Sequence, residues 1–166
     1  MSQYQLDEMR NKIKSLQDAK RYEHTLGVMY TAAALAMRYE EDVEKALVAG
    51  LLHDMAKGFS TNLGHAPMGA KMAEEEFGIE DAYITDAICY HTTGRPNMTL
   101  LDKIIYVADY IEPNRDKAPD LANLRKLAFE DIDECLRRIL GDTLNYLKQQ
   151  GKEIDDMTAQ AYRYYN

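Results

Sequence analysis

In the stretch DIDECLRRILGDTLNYLKQQ, the positions Ile132, Cys135, Leu136, Ile139, Leu140, Thr143, Leu144 and Leu147 recur at spacings of three and four. That period marks one side of a long amphipathic helix, and such a stripe has to be covered by other elements of the chain. Gly151 follows directly, a residue suited to the left-handed turn that ends a helix.

The rest of the chain repeats the pattern. Ile13 and Leu16 imply a first helix before Lys20. RYEHTLGVMYTAAALAMRYE holds no proline and carries Val28, Ala32, Leu35 and Tyr39 on one stripe. DVEKALVAGLLHDMAK begins at Asp42, a good N-cap residue, followed by Glu44 and Lys45 in a polar first turn. Further helices are expected at about Met68–Phe77, Glu80–Tyr90 and Thr99–Ile111, divided by Gly78 and TTGRPN. LANLRKLAFE reads as a short helix and DDMTAQAYRYY as a last one, while FSTNLGHAP and EPNRDKAPD read as loops. There is no run of alternating β-branched residues, no fixed-period repeat and no low-complexity linker. The expectation is an all-α helical bundle, one domain over residues 1–166 with its core between about residues 20 and 148.

A chain of 166 residues is long enough to bury such a core. Its net charge of −8 argues against nonspecific nucleic-acid binding, which needs a basic surface, but leaves room for a local basic site for a small phosphorylated ligand. The longest apolar run, Ala46 to Leu52, is too short to cross a bilayer, and MSQYQLDEMRNK has no apolar segment of a secretory signal. Cys89 and Cys135 stand apart and read as reduced thiols. A cytoplasmic protein with no membrane partner is expected. Nine methionines and the tyrosines Tyr162, Tyr164 and Tyr165 are compatible with a homodimer face.

The chemistry concentrates in LLHDMAK, where an apolar helix end carries His53 and Asp54 and then Lys57. Burying either member of the pair without a partner costs several kcal/mol, so the pair reaches solvent, pairs locally or holds something. Each other histidine, taken alone, has a structural explanation. His24 shares a stripe with Val28 and Leu35, His65 can open a helix in GHAP, and His91 can complement a helix dipole after ICY.

Asp109 is harder to place. In TLLDKIIYVADYIEP it lies on the row of Leu101 and Ile105, and aspartate is a weak helix former there. It is either a buried salt-bridge partner, with Arg21 or Arg125, or a metal ligand. Neighbouring helical side chains point about 100° apart, so His53 and Asp54 converge on one ion only near a helix end or beside a bulky cation. A carboxylate can also bridge two cations. Imidazole nitrogen with carboxylate oxygen suits first-row divalent metals. Lys57 lies on the same face, where it could hold phosphate oxygens.

RYEHTLGV, LLHDMAK, GHAPMGA, YHTTGRPNMTLLDKIIYVADYIEPNRD and LRKLAFEDID keep the order H…HD…H…H…D over roughly Arg21 to Leu147. They closely resemble the HD-domain superfamily of metal-dependent phosphohydrolases and, within it, the YqeK-type family of symmetrical bis(5′-nucleosyl)-tetraphosphatases. The resemblance implies an HD-domain helical bundle that splits diadenosine tetraphosphate into two ADP with two divalent cations. It implies His24, His53, Asp54 and Asp109 as ligands of one cation, and His65 and His91 with a bridging Asp54 as ligands of the second. It favours iron, while manganese, cobalt, nickel and zinc also suit these donors. Asp54, Lys57 and Asp109 are then the expected catalytic residues. Lys57, Arg95 and Arg115 are the expected phosphate contacts, Arg95 because it follows Gly94 in a tight loop behind His91.

The chain departs from that family in one place. Its members usually carry a longer stretch, often with a helix, between the HDxxK segment and the GHAP-like histidine, whereas GFSTNLG alone separates Lys57 from His65 here. Seven extended residues span up to ~25 Å, so the chain can close. The expected consequence falls on substrate affinity and nucleotide preference. Three alternatives remain open on the sequence: an HD-type nucleotidase or phosphodiesterase for another nucleotide, a nucleotide-binding sensor without turnover, and a helical interaction domain with structural histidines.

Overall fold

The computed structural model describes residues 3–59 and 62–166, with side chains from residue 5 onward. Ser60 and Thr61, inside the short loop, and the first two residues of the amino-terminal stretch lie outside the described residues. The described residues form α1 (Gln3–Leu16), α2 (Ala19–Arg38), α3 (Val43–Leu52), α4 (His65–Phe77), α5 (Ala82–Cys89), α6 (Leu100–Ile111), α7 (Leu121–Glu130), α8 (Ile132–Gln149) and α9 (Asp156–Tyr165). No strand occurs among them, so the architecture is all-α as expected.

Local chemistry sets where the helices begin and end. Asp42 accepts a hydrogen bond from the Lys45 amide at 3.0 Å, which satisfies one of the orphan donors at the start of α3. Thr99 and Asp102 form a reciprocal capping box at the start of α6. Past α8, Gly151 takes φ 61° and donates to the Lys148 carbonyl, closing the helix as the sequence suggested. Two boundaries differ from expectation. The helix through LLHDMAK stops at Leu52, and residues 53–58 continue as turns, with Met55 donating to Leu52 and Lys57 to Asp54. GHAP is not loop throughout, because α4 already begins at His65. Pro67 fits within its first turn, where an amide has no helical acceptor to lose.

α3 lies at the centre, with Ala46, Val48, Ala49, Gly50, Leu51 and Leu52 all buried. It packs along α2 and also meets α5 and α6, while α8 covers α6 and α7, and α9 covers α8. The α8 stripe supplies Ile132, Cys135, Leu136, Ile139 and Leu140 to the same apolar core as Leu101, Ile104 and Ile105 of α6. Gly50 allows the close approach of α3 to α2, since a Cβ there would stand 2.8 Å from Cα of Met29. That approach brings His24 on α2 near the end of α3.

Candidate metal centre

His53 is the C-cap residue of α3, still with helical dihedrals of φ −53° and ψ −41°, and Asp54 follows it in the turn past the helix end. α2 contributes His24, α4 contributes His65 as its first residue, His91 follows the end of α5, and α6 contributes Asp109. The imidazoles form a row, with ring centroids 5.5 Å apart for His24–His53, 4.9 Å for His53–His91 and 5.2 Å for His65–His91.

The Asp54 carboxylate divides this row. Its Oδ2 lies 3.7 Å from Nε2 of His53 and 4.0 Å from Nε2 of His24. Its Oδ1 lies 3.2 Å from Nε2 of His65 and 3.3 Å from Nε2 of His91. On the Oδ2 side, Asp109 Oδ1 lies 3.0 Å from Nε2 of His24 and 3.7 Å from Nε2 of His53. Yet Nε2 of His53, His65 and His91 and Oδ1 of Asp54 are buried without a hydrogen-bond partner. Buried polar atoms are normally satisfied, so unpaired atoms converging from separate elements need a group between them. Imidazole nitrogens and carboxylate oxygens at these distances could hold divalent cations, and His24–His53–Asp109 and His53–Asp54–His91 each form such a set.

Backbone chemistry turns two of the imidazoles the right way. Nδ1 of His53 lies 2.7 Å from the Gly50 carbonyl, and Nδ1 of His91 lies 2.7 Å from the Ile88 carbonyl. Both are carbonyls at helix ends, where the last turn leaves acceptors free. A carbonyl can only accept, so Nδ1 donates and Nε2 presents its lone pair to the cluster. His24 sits inside α2, and its Nδ1 instead meets Oε1 of Glu112 at 3.1 Å.

Electrostatics follow from the burial. His53 is fully buried, and desolvation pushes its pKa down to about 4, which keeps it neutral. Burial would also lower His24, but the Asp109 and Glu112 carboxylates outweigh it and the net shift is upward. Burial would raise Asp54, but close contacts from His65 and His91 hold it well below the usual carboxylate range. Burial would raise Asp109 as well, but the close contact from His24 outweighs its desolvation and holds it low.

Three cations border the cluster. Lys57 Nζ lies 3.8 Å from Asp54 Oδ1, Arg115 Nη2 lies 3.2 Å from Asp109 Oδ1, and Arg21 Nη1 lies 3.4 Å from Asp54 Oδ2. All three remain partly exposed, with side chains 40%, 48% and 35% accessible, so they can turn toward a ligand. Arg21 is not among the phosphate contacts expected from the sequence, although it lies three residues before His24 on the same helical face. The salt-bridge alternatives for Asp109 are corrected: Arg21 meets Asp54 instead, and Arg125 donates to the carbonyls of Ile111, Glu112 and Arg115.

Arg95 also differs from its expected setting. Its guanidinium is held 2.7 Å from Asp102 and 3.0 Å from Asp86 and stacks over Tyr90, so it is engaged within the fold rather than free. Of the three carboxy-terminal tyrosines, Tyr164 is exposed, while Tyr162 packs on the core and the Tyr165 hydroxyl accepts from the Met98 amide. No described helix is long and apolar enough to cross a membrane.

The HD domain profile matches residues 21–114. A Bacillus subtilis (strain 168) protein named bis(5′-nucleosyl)-tetraphosphatase, symmetrical, is 40% identical over 87% of this chain and 88% of its own length. A Halalkalibacterium halodurans protein of the same name is 40% identical over 92% of this chain and 95% of its own. That alignment spans 179 positions against 166 residues here, so the relative carries residues that this chain lacks. Among solved structures, a predicted HD superfamily hydrolase from Clostridium acetobutylicum, described as involved in NAD metabolism, superposes with a TM-score of 0.90 at 37% identity, covering 99% of this chain and 97% of that one. The chain belongs to the HD-domain family, in the group that holds the symmetrical bis(5′-nucleosyl)-tetraphosphatases.

Proposed function

We propose that this protein is a metal-dependent phosphohydrolase that splits dinucleoside tetraphosphates, diadenosine tetraphosphate among them, symmetrically into two nucleoside diphosphates. The observation that carries this reading is the set of unpaired donors gathered on both sides of the Asp54 carboxylate. The named relatives support the regiochemistry.

In this reading His24, His53, Asp54 and Asp109 would hold one divalent cation, and His65 and His91, together with Asp54, would hold a second. The family favours iron. Manganese, cobalt, nickel and zinc match the same donors, whereas magnesium alone does not suit a nitrogen-rich set. When bound, the cations supply Lewis-acid stabilisation of phosphoryl charge and lower the pKa of a coordinated water.

The chain's own residues do the remaining work. Lys57, Arg21 and Arg115, which border Asp54 and Asp109, would take the charge of the polyphosphate and align it, and in phosphoryl transfer positioning and charge stabilisation make up most of the catalysis. The buried His53, Asp54 and His91 form an inner wall shielded from bulk solvent, so each ionic contact made there is stronger than in water. A pocket beside His65, lined by Leu63, Tyr90, Thr93 and Met157, offers a surface for one nucleoside. We read the protein as a cytoplasmic enzyme for a small nucleotide.

The test is product analysis. Metal-loaded protein incubated with diadenosine tetraphosphate yields ADP as the sole nucleotide product on chromatography. ATP with AMP, or no turnover with any of the five metals, counts against the assignment.

A further inference from the structure

We propose that Glu112 is a positioning residue: it holds His24 in the tautomer and orientation that bind a cation, and thereby sets the affinity of the His24–His53–Asp109 position apart from that of its neighbour. The inference rests on the metal-centre reading above.

His53 and His91 lean on main-chain carbonyls left over at helix ends. His24 has no such acceptor, because it lies inside α2, where the carbonyls are taken by the helix ladder. Its Nδ1 is met instead by a carboxylate, Oε1 of Glu112, at 3.1 Å. Glu112 is 1% exposed and is itself fixed, since Oε2 accepts from the Asn114 amide at 2.8 Å and from Asn114 Nδ2 at 3.1 Å. With Nδ1–H given to a carboxylate, loss of the ring's other proton leaves the Nε2 lone pair for a cation beside Asp109, and the carboxylate raises the basicity of the ring as a ligand. Neutral carbonyls behind His53 and His91 do so less.

The backbone shows that Glu112 is placed here by the fold. Pro113 disfavours helix at the preceding residue, so α6 ends at Ile111 and Glu112 takes an extended conformation, φ −50° and ψ 152°. An acidic residue at a helix C-terminus opposes the helix dipole, and its contacts with His24 and Asn114 compensate for that. Gly27 completes the cradle. A Cβ at that position would collide with Oε2 of Glu112 and stand 2.9 Å from its Cδ. Gly27 therefore leaves the room that the buried carboxylate fills, one turn along α2 from His24.

The experiment is a cobalt(II) titration of chelator-treated full-length protein, followed by visible absorption and bound-metal analysis, for wild type, Glu112→Gln, Glu112→Ala and Gly27→Ala. Wild type takes up two equivalents. Each variant keeps one position at wild-type affinity and weakens the other by about 10–100-fold, the usual cost of losing an outer partner of a metal-bound histidine. Glu112→Gln sits at the low end, because its amide oxygen still accepts from Nδ1, and Glu112→Ala at the high end. Should Glu112→Ala fail to fold, Gly27→Ala decides, since it adds a better helix former and displaces the carboxylate. Unchanged affinity at both positions, or equal weakening of both, overturns the proposal, even if the metal-free melting temperature falls. A wild-type protein that binds no cobalt overturns the metal-centre reading itself.

Discussion

Nε2 of His24 on α2 lies 3.0 Å from Oδ1 of Asp109 on α6, a contact that only a proton or a cation between the two atoms makes favourable. In the metal-free chain the proton serves, which is why the His24 pKa is raised despite burial. Bound metal would replace that proton, so the cluster links pH, metal and stability.

The linkage predicts a stability maximum for metal-free protein. His24, raised above 6.5 in the fold, contributes stability that is complete below pH 6.5 and lost as the pH rises through its folded value. His53, lowered to about 4 from 6.5, works in the other direction: unfolding takes up a proton below pH 6.5, so stability drops as the pH falls toward 4. Asp54 and Asp109, both held low, add losses only below the ordinary carboxylate range. Melting temperatures of chelator-treated protein between pH 5 and 8 are therefore expected to peak near pH 6.5. A steady rise through pH 8 would contradict this.

Asp54→Asn removes the negative charge of the carboxylate that faces both sets of imidazoles, Oδ2 toward one and Oδ1 toward the other. Even an outer partner of a ligand is worth about 10–100-fold in affinity, so losing this inner one lowers bound metal at both positions by at least about 100-fold and turnover with it. Metal analysis of purified variant and wild type checks it.

The cations bordering the cluster separate from Arg95. Arg21→Ala, Lys57→Ala and Arg115→Ala each remove one charge-assisted contact, worth about 1.5–3 kcal/mol, and raise KM for the tetraphosphate by roughly tenfold or more while leaving the fold intact. Arg95→Ala instead takes the charged partner from the Asp102 carboxylate, whose side chain is 1% exposed, and leaves it the hydrogen bond from the Thr99 amide. Breaking a buried pair costs about 3–5 kcal/mol, so this variant shows its loss in urea denaturation, with a smaller change in KM.

Gly50→Ala should destabilise the protein although alanine is the better helix former. Its Cβ would press on the Met29 backbone, which cannot turn aside as a side chain can. Overpacking of this kind costs about 1–3 kcal/mol. The variant also spreads α2 from α3 and thus His24 from His53, so metal affinity falls together with the denaturation midpoint.

Much of this was legible in the sequence because it is periodic. The α8 stripe, the Asp42 cap and the Gly151 stop depend on residues within one or two turns of each other, where spacing is informative. His53 and Asp54 were legible as a pair that needed a helix end, and α3 does end at Leu52. What the sequence hid depends on the path of loops. The TTGRPN turn was expected to aim Arg95 at the cluster, but the fold brings Asp86 and Asp102 to it instead, from α5 and α6. Glu112 reads in the sequence as the first residue of a loop. The available signal was an acidic residue at the end of an apolar helix and directly before proline, a position that needs a compensating partner.

The most direct measurement is anomalous diffraction from crystals of metal-loaded protein. The account predicts two peaks, one on each side of the Asp54 carboxylate, the first among His24, His53 and Asp109 and the second beside His65 and His91. A single peak, or none between these side chains, would contradict it.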